Sequence, residues 1–178
     1  IAHELMQLRE NYPRDFFFNS LNNLDTHDTK RIITACSGKM QLVRTAWELL
    51  FMFPGIPCVY YGDEAGLVGD SDPDNRRFFP WGRENQEMMQ FMKRLISKRR
   101  ASQVLSRGEL SLFVCGTFFG IGRFLGDESV AYLVNASDCE AEFNPDQLQS
   151  FHDEAGLGAK LCQAFARKKF DAWESVEI

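Results

Sequence analysis

The amino-acid sequence predicts two domains, an α/β region followed by an all-β region. Over residues 1–107, amphipathic helical patterns alternate with short apolar runs, which is typical of a parallel sheet or barrel. Over residues 108–178, short segments of alternating hydrophobicity are separated by turn residues such as Gly126 and Asp127, which is typical of an antiparallel sandwich. The domain boundary is therefore predicted near Arg107.

The elements of the first region follow from apolar spacing and from the residues that interrupt it. A proline disfavours helical geometry at the residue before it, so Pro13 ends the first helix near Asn11. Two runs dense in aromatic and apolar residues predict strands that are buried on both faces. In order, we expect a helix to Asn11, a strand over Phe16–Asn23, a helix between Gly38 and Pro54, a strand over Ile56–Gly62 and a helix over Glu84–Ala101.

The second region is predicted to be built mainly from strands. The predicted strands are Leu110–Cys115, Thr117–Phe124, Ser129–Asn135 and the C-terminal Trp173–Ile178. His152 and the two acids that follow it lie near Gly156 and have no apolar run before them. We therefore interpret that later His-Asp pair as part of a loop.

Charge and hydropathy exclude two classes of partner. Of the 178 residues 44% are hydrophobic, which is enough for a core, but no apolar run approaches the roughly 20 residues that cross a bilayer. Residues 108–178 hold 5 Lys and Arg against 12 Asp and Glu, which argues against nucleic acid. The basic run Lys93–Arg100 shares its helix with an apolar stripe, so its charges are expected on the solvent face.

The cysteines and histidines predict no metal site, and nothing else in the sequence points to a cofactor. Five cysteines form no CxxC pair, and the three histidines, His3, His27 and His152, lack the spacing of metal ligands. Reduced thiols and an N-terminus without a secretion-signal pattern favour a cytoplasmic protein. The sequence begins with Ile1 inside a helical pattern, from which we expect a piece of a longer protein.

The segment Leu24–Arg31, LDTHDTKR, places a histidine beside a carboxylate directly after an apolar run. In barrels of alternating strands and helices, polar side chains at the carboxyl tip of a strand face the pocket. His27 and Asp28 are therefore candidate site residues. The alternative is a polar loop in which Asp28 caps the next helix and His27 is merely solvated.

Three segments together resemble the α-amylase family, family thirteen of the glycoside hydrolases. Thr26–Arg31 is similar to the family's fourth conserved region, and Phe53–Leu67 is similar to its eighth barrel strand with both flanks. Ser71–Trp81, SDPDNRRFFPW, resembles the next loop in the cyclomaltodextrinase, neopullulanase and maltogenic amylase branch. The resemblance implies that residues 1–107 are the last part of a (β/α)8 TIM barrel, from about helix 6 to helix 8. It also implies that residues 108–178 are an antiparallel β-sandwich, called domain C.

The resemblance also implies roles for single residues. By it, Asp28 is the catalytic carboxylate that stabilises the transition state, and His27 hydrogen-bonds the same sugar ring. Such bonds tighten as the glycosidic bond breaks and so lower the barrier. Asp72 and Arg76 match residues that bind the next sugar unit, and the alternative is a salt bridge that holds their loop closed.

Asp63 and Glu64 are expected to support the sugar-binding residues from behind. The alternative is a catalytic acid pair, but consecutive residues at a strand end point in different directions and are poorly placed to flank one bond. Tyr60, Tyr61 and Trp81 have ring faces suited to stacking on sugars. Aromatic residues on buried strands are usually part of the core, so we expect these three there.

The resemblance places two essential carboxylates outside this chain. Retaining glycosidases need a nucleophile and an acid/base group about 5 to 5.5 Å apart, and the family takes them from strands four and five, upstream of residue 1. We expect the parent protein to hydrolyse α-1,4 or α-1,6 glucosidic bonds in maltodextrins or cyclodextrins, and this chain to be inactive alone. Its expected partners are α-glucan oligosaccharides or cyclodextrins and the rest of the parent barrel, and its exposed strand edges predict self-association.

Two alternative functions remain open at this point. The first is an oligo-1,6-glucosidase or a transglycosylase of the same family, which would use the same carboxylates. The second is a non-catalytic carbohydrate-binding or interaction module that keeps the sugar contacts. An aspartate after strand four and a glutamate after strand five in upstream sequence would exclude the second alternative.

Overall fold

A computed structural model describes residues 2–178, with helices in the first part and an antiparallel sheet in the second. The helices are α1 (Ala2–Asn11), α2 (Arg14–Asn19), α3 (Ile32–Ala35), α4 (Met40–Met52), α5 (Gln86–Ala101), α6 (Gln103–Arg107) and α7 (Leu157–Phe165). The strands are β1 (Leu21–Asn22), β2 (Ile56–Pro57), β3 (Glu109–Cys115), β4 (Phe118–Leu125), β5 (Glu128–Asn135), β6 (Ala141–Glu142), β7 (Leu148–Phe151), β8 (Lys169–Phe170) and β9 (Ser175–Glu177). Single turns of 3₁₀ helix cover Asp74–Arg76 and Pro145–Gln147.

The aromatic run predicted as a strand over Phe16–Asn23 is helical over its first half, residues 16–19, so that prediction is wrong. Pro13 precedes the first turn of α2, where its missing N–H costs no hydrogen bond. Successive side chains on a helix point in different directions, so Phe17 is buried while Phe16 is 70% exposed. The ring of Phe17 packs edge-on against Phe53, with 5.6 Å between centroids. Only Leu21–Asn22 of the predicted strand is extended and paired.

β1 and β2 pair in parallel, as the alternation of elements predicted. Leu21 lies opposite Ile56, and both side chains are exposed. Each strand is only two residues long, and within residues 2–178 no third strand joins the pair. The prediction that these strands are buried on both faces is therefore wrong, because no described element covers their outer side.

The predicted helices that end near Asn11, precede Pro54 and finish at Ala101 are confirmed as α1, α4 and α5. Asn85 begins α5 by accepting a hydrogen bond from the Met88 amide through its side chain (3.1 Å). Apolar side chains of α3, α4 and α5 form one core. Its fully or nearly buried members are Ile32, Ile33, Val43, Trp47, Phe51, Met88, Phe91 and Met92.

The antiparallel sheet has the strand order β7-β3-β4-β5-β9, and the predicted strands around β3, β4 and β5 are confirmed to within one residue at each end. Alternate side chains face opposite sides, and both sides are covered. β6 and β8 form a separate two-stranded antiparallel sheet. On one side α7 lies so close that a Cβ on Gly122 would stand 2.6 Å from Leu157. A side chain at this position would therefore require Leu157 to move.

The segment of His152 is a loop, as expected. His152 lies before α7, and the carboxylate of Asp153 bonds to the first amides of that helix. Asp153 accepts the amides of Leu157 (2.6 Å) and Gly158 (2.8 Å). This later His-Asp pair therefore has a helix-capping contact at its aspartate.

The other side of the sheet shares its core with the helices. The buried members come from α1, α2, α4 and α6 as well as from β3, β4 and β5: Met6, Phe17, Met52, Leu105, Leu110, Leu112, Phe119, Ile121, Tyr132 and Val134. One hydrophobic core therefore spans the change from helices to sheet.

Arg123, on β4, is fully buried at this junction. Its guanidinium donates to the carbonyls of Met52 and Leu105 (both 2.9 Å) and of Gly108 (2.7 Å). A planar fork of donors can satisfy several carbonyls that the ends of α4 and α6 leave unpaired. Arg123 thus connects two helix ends to the sheet.

Candidate functional site

The turn Thr26–Thr29 carries the first two candidate residues, His27 and Asp28. The amide of Thr29 donates to the Thr26 carbonyl (3.2 Å), and the Thr26 amide donates to the Thr29 hydroxyl (2.8 Å). These local bonds close the turn and leave both candidate side chains in solvent. His27 Nε2 lies 3.2 Å from Asp28 Oδ2, and the Asp28 side chain is 71% exposed.

The long loop Gly62–Trp81 packs against this turn through Asn75, which is buried in the loop's 3₁₀ turn. The Asn75 amide donates to the carbonyls of His27 and Thr29, both at 2.8 Å. The loop folds tightly around it, because a Cβ on Gly69 would lie 2.6 Å from the Asn75 Cα. The loop is therefore held to the backbone of the His27–Asp28 turn.

Arg76 lies between the two other acids of the prediction. Its Nη2 is 3.5 Å from Asp28 Oδ1, and its Nε is 3.3 Å from Asp72 Oδ1. The same Nε donates to the His27 carbonyl at 3.2 Å. The structure thus brings His27, Asp28, Asp72 and Arg76 together from two separate segments. We call these four residues the surface cluster.

The surface cluster contains the ion pair that the alternative interpretation of Asp72 and Arg76 expects. All of its side chains nevertheless remain exposed, and exposed ion pairs of this kind contribute only about 0 to 1 kcal/mol. Sugar hydroxyls can both donate to the carboxylates and accept from the guanidinium. The cluster can therefore exchange its internal contacts for a polar ligand at little cost.

A buried arginine connects the same two segments from the inside. Arg31 donates to the Asn75 carbonyl (2.9 Å), the Tyr61 carbonyl (2.6 Å) and Asp63 Oδ1 (3.0 Å). Its guanidinium carbon lies 4.0 Å from the centroid of the Tyr60 ring. Contacts of this kind to a fixed fork of donors restrict the relative position of the two segments.

Asp63 is buried beside a second acid, Asp25. Asp25 Oδ2 accepts the Ile32 amide at 2.6 Å, so Asp25 and not Asp28 pairs with the start of α3. The alternative role of Asp28 as a helix cap is therefore wrong. Burial chiefly, and then the hydrogen bond and charge of Asp25, raise the pKa of Asp63 to about 8, against the opposing effect of Arg31.

Asp63 and Glu64 lie in different environments. The Asp63 side chain is fully buried, whereas Glu64 Oε2 accepts the Gly62 amide of its own turn at 2.7 Å. Catalytic carboxylates of a retaining glycosidase must face one bond from two sides. This geometry disfavours the alternative in which the two residues form a catalytic acid pair.

The expectation that Tyr60, Tyr61 and Trp81 are core residues is wrong for two of them. Tyr61 is 41% exposed and its hydroxyl donates to the Arg77 carbonyl at 2.8 Å. Trp81 is 80% exposed. Both follow the short strand β2 instead of lying within it. The Arg31 guanidinium carbon lies 4.8 Å from the centroid of the Tyr61 ring, and the centroids of the Trp81 and Phe79 rings are 4.5 Å apart. Tyr60 is half-buried against Arg31.

Within residues 2–178 no three His, Cys, Asp or Glu side chains are grouped so as to hold a metal ion. All five cysteines are free thiols. Over the same residues, none of the helices combines the length and the apolar character needed to cross a membrane.

Sequence reasoning missed Asp25, Arg31 and Asn75. Asp25 and Arg31 both lie within the segment LDTHDTKR, and Asn75 lies within SDPDNRRFFPW. The two motifs therefore contain the missed residues, but the sequence argument selected the exposed residues of each motif and not their buried neighbours. Charged residues are almost never fully buried without a partner, so burial itself is the signal and it requires the tertiary structure.

The comparison with known protein families identifies the family of this chain. Residues 3–103 match the alpha amylase catalytic domain. The chain belongs to the α-amylase family. The resemblance of its three segments to that family is thereby confirmed.

Its relatives within the family are glycoside hydrolases. The chain is 35% identical over 164 residues to an amylopullulanase from Thermoanaerobacter thermohydrosulfuricus, covering 83% of this chain and 11% of that protein. It is 38% identical over 163 residues to the intracellular maltogenic amylase of Bacillus subtilis strain 168, covering 88% of this chain and 27% of that protein. Cyclomaltodextrinases are also among the similar proteins.

A solved relative has the same fold over nearly the whole chain. The cyclic α-maltosyl-(1→6)-maltose hydrolase from Arthrobacter globiformis, in complex with cyclic α-maltosyl-(1→6)-maltose, superposes with a TM-score of 0.80 at 27% identity. The match covers 99% of this chain and 38% of that protein. This α-amylase family chain therefore spans well under half the length of these three relatives.

Proposed function

We propose that this chain is the C-terminal part of a retaining α-glucan hydrolase that cleaves α-1,4 or α-1,6 glucosidic bonds in maltodextrins or cyclodextrins. The observation that carries the proposal is the surface cluster, in which His27, Asp28, Asp72 and Arg76 meet in solvent. The substrate class is supported by the names of the relatives, since one of them is a hydrolase bound to a cyclic maltosyl-maltose.

In this proposal Asp28 stabilises the transition state. As an α-glucosidic bond breaks, the sugar ring gains oxocarbenium character, and hydrogen bonds to its hydroxyls strengthen. The ionised carboxylate accepts such bonds, and the imidazole of His27, 3.2 Å away, donates another to the same ring. The pair would thereby hold the ring in place while the bond breaks.

Asp72 and Arg76 bind the next sugar unit in this proposal. The guanidinium is 43% exposed, so its donors are open to a ligand beside both carboxylates. A bound glucose unit would exchange the long contact between Arg76 and Asp28 for hydroxyl contacts and leave Asp28 free for the reacting ring. The internal ion pairs then hold the guanidinium in position until the sugar arrives.

The finer assignment of the fold belongs to the same proposal. Residues 1–107 are the last part of a (β/α)8 barrel, and residues 108–178 are its antiparallel β-sandwich, domain C. The exposed side chains of Leu21 and Ile56 support a partner that supplies the remaining barrel strands. A cytoplasmic location is supported by the name of the intracellular relative and by the free thiols.

The surface cluster is expected to bind maltotriose weakly. In an NMR titration of the chain with maltotriose, the resonances of His27 and Arg76 should shift. A hydrogen bond to a charged group contributes about 1.5 to 3 kcal/mol, so Asp28→Ala and Asp72→Ala should each weaken binding by about tenfold or more. Asp70→Asn is the matched control, because Asp70 lies in the same loop and pairs with Lys30 (2.6 Å) outside the cluster. Equal weakening by all three variants, or no shift at all, would contradict the proposal.

The chain alone is expected to release no reducing sugar from maltotriose or β-cyclodextrin. Asp28 can stabilise the transition state, but a retaining reaction also needs a nucleophile and an acid/base carboxylate. The Bacillus subtilis maltogenic amylase serves as the positive control of the reducing-sugar assay. Turnover that disappears in Asp28→Asn would instead place the nucleophile within residues 1–178 and would overturn the assignment of this chain as an incomplete site.

A further inference from the structure

Six buried side-chain polar atoms have no hydrogen-bond partner within residues 2–178, and two of them, Arg44 Nε and Trp47 Nε1, lie in α4. The other four, Asp25 Oδ1, Arg31 Nη2, Asp63 Oδ2 and Asn75 Oδ1, lie in the two segments of the candidate site, in residues that are at most 3% exposed. Unpaired buried polar atoms are rare because each costs the full desolvation of its group. Their concentration in one pair of segments needs a physical cause.

The bonds that the two acids do make use one oxygen of each and leave the other oxygen buried without a partner. Asp25 Oδ2 is used by the Ile32 amide, and Asp63 Oδ1 is used by Arg31. Asp25 contributes to the raised pKa of Asp63, so the two carboxyl groups are close enough to interact. Two ionised carboxylates have only acceptors and cannot bond to each other. A single proton would pair both free oxygens at once.

The net charge of Asp25, Asp63 and Arg31 also favours a shared proton. With both acids ionised, Asp25, Asp63 and Arg31 would carry a net negative charge in the interior. One proton on the acid pair makes the group neutral, which greatly lowers the cost of its burial. Two carboxyl groups that share one buried site tend to hold one proton between them, because ionising both is costly.

We propose that Asp25 and Asp63 share one proton, and that the neutral group they form with Arg31 is a positioning device that holds the His27–Asp28 turn against the Asp72–Arg76 segment. The expected effect of this group on sugar binding rests on the proposed function of the surface cluster. Asp25 lies two residues before His27, and Arg31 bonds to Asn75 next to Arg76. A change in this group therefore acts on both halves of the cluster.

The proton leaves to solvent when the pH rises. The pKa of Asp63 is raised to about 8, and the ionisable groups that face it are Asp25 and Arg31. Tyr60 and Tyr61 pack on Arg31, while Glu64 turns to the Gly62 amide. The folded chain holds the proton more tightly than the unfolded chain, so the stability it contributes is present at low pH and is lost as the pH rises through about 8.

Asparagine variants distinguish a pair of acids that share one proton from a pair in which both acids are ionised. An amide reproduces a neutral acid, because it can accept from Arg31 and donate to the other carboxylate. Asp63→Asn and Asp25→Asn should each fold, whereas the double variant should be clearly less stable because it leaves Arg31 as a buried charge without a carboxylate. If both acids are ionised instead, each single variant removes a needed charge, and unfolding of either single variant would overturn the proposal.

The direct test is an NMR titration of the whole chain carrying isotope-labelled aspartate, from about pH 5 to about pH 10. One carboxyl signal should titrate near pH 8, and the His27 ring signals should shift in the same step. In Asp63→Asn both steps should vanish, while in Asp70→Asn both should persist. A merely structural ion pair would show no step at His27.

The outcomes distinguish this inference from the proposed function. If every aspartate titrates below about pH 5, the shared proton is excluded even if maltotriose binds. If the step near pH 8 occurs and maltotriose does not bind, the proton pair stands and the sugar site fails. If both hold, maltotriose affinity should fall across the same step in the native chain and stay level in Asp63→Asn.

Discussion

Replacing Arg31 with methionine is expected to lower the free energy of unfolding by about 3 to 5 kcal/mol, which is the cost of breaking a buried ion pair by removing one partner. Arg31 is fully buried, and methionine fills much of its volume without its donors. Asp63 and the carbonyls of Tyr61 and Asn75 would then lose their hydrogen bonds. Urea unfolding monitored by circular dichroism measures the loss.

The neighbouring residue supplies the matched control. Lys30 pairs with Asp70 at the surface, with both side chains more than half exposed, so Lys30→Met should change stability by at most about 1 kcal/mol. Arg31→Lys should give an intermediate loss, because it keeps the charge but not the planar fork. Equal effects of the Arg31 and Lys30 substitutions to methionine would show that the buried contacts contribute nothing.

Arg123→Met is expected to destabilise the chain by about 3 kcal/mol, because each buried carbonyl left without a donor costs about 1 to 3 kcal/mol. The carbonyls of Met52, Leu105 and Gly108 would all lose their partner. The effect should appear at both the helices and the sheet, since Arg123 bonds to both. Hydrogen exchange of amides in α4 and β4 would measure it.

Arg107 is the control for this second substitution. It is an exposed arginine at the same junction, so Arg107→Met should leave exchange nearly unchanged. Loss of protection in β4 alone, with α4 unaffected, would contradict the role of Arg123 as a connection between helices and sheet.

The regular elements could be predicted where one apolar period dominates. The helical spacing of Met40, Val43, Trp47 and Leu50 predicted α4, and the alternation along Leu110–Cys115 predicted β3. In both cases the pattern extends over enough residues for one face to be distinguished from the other. The family resemblance was then sufficient to place the segments in order.

The aromatic run at Phe16–Asn23 could not be assigned in this way. It is dense in apolar residues but short, and a short apolar run does not distinguish a buried strand from one or two turns of helix. The helix is favoured because its backbone lets Phe17 pack against Phe53 and join the core cluster that contains Met52. That contact involves residues more than thirty positions away, so it cannot be predicted from the run alone.

The candidate site was predictable at its surface and not beneath it. Polar residues after a strand, together with the family motifs, indicated His27, Asp28, Asp72 and Arg76, and the structure brings these four together. Their roles stay proposals. Beneath the surface, Asp63 was expected from the sequence and is fully buried. Asp25 and Arg31 were missed, because their burial depends on contacts with a segment that is distant in the chain, and neither spacing nor composition predicts such contacts.

The core shared by helices and sheet has a consequence for how this chain evolves. Met6 and Phe17 pack in the same cluster as Leu112 on the far side of Gly108. Recombination at Gly108 between distant homologues would join helices to a sheet that was never selected against them. A large-to-small substitution on one side of this core is therefore expected to require a compensating substitution on the other side.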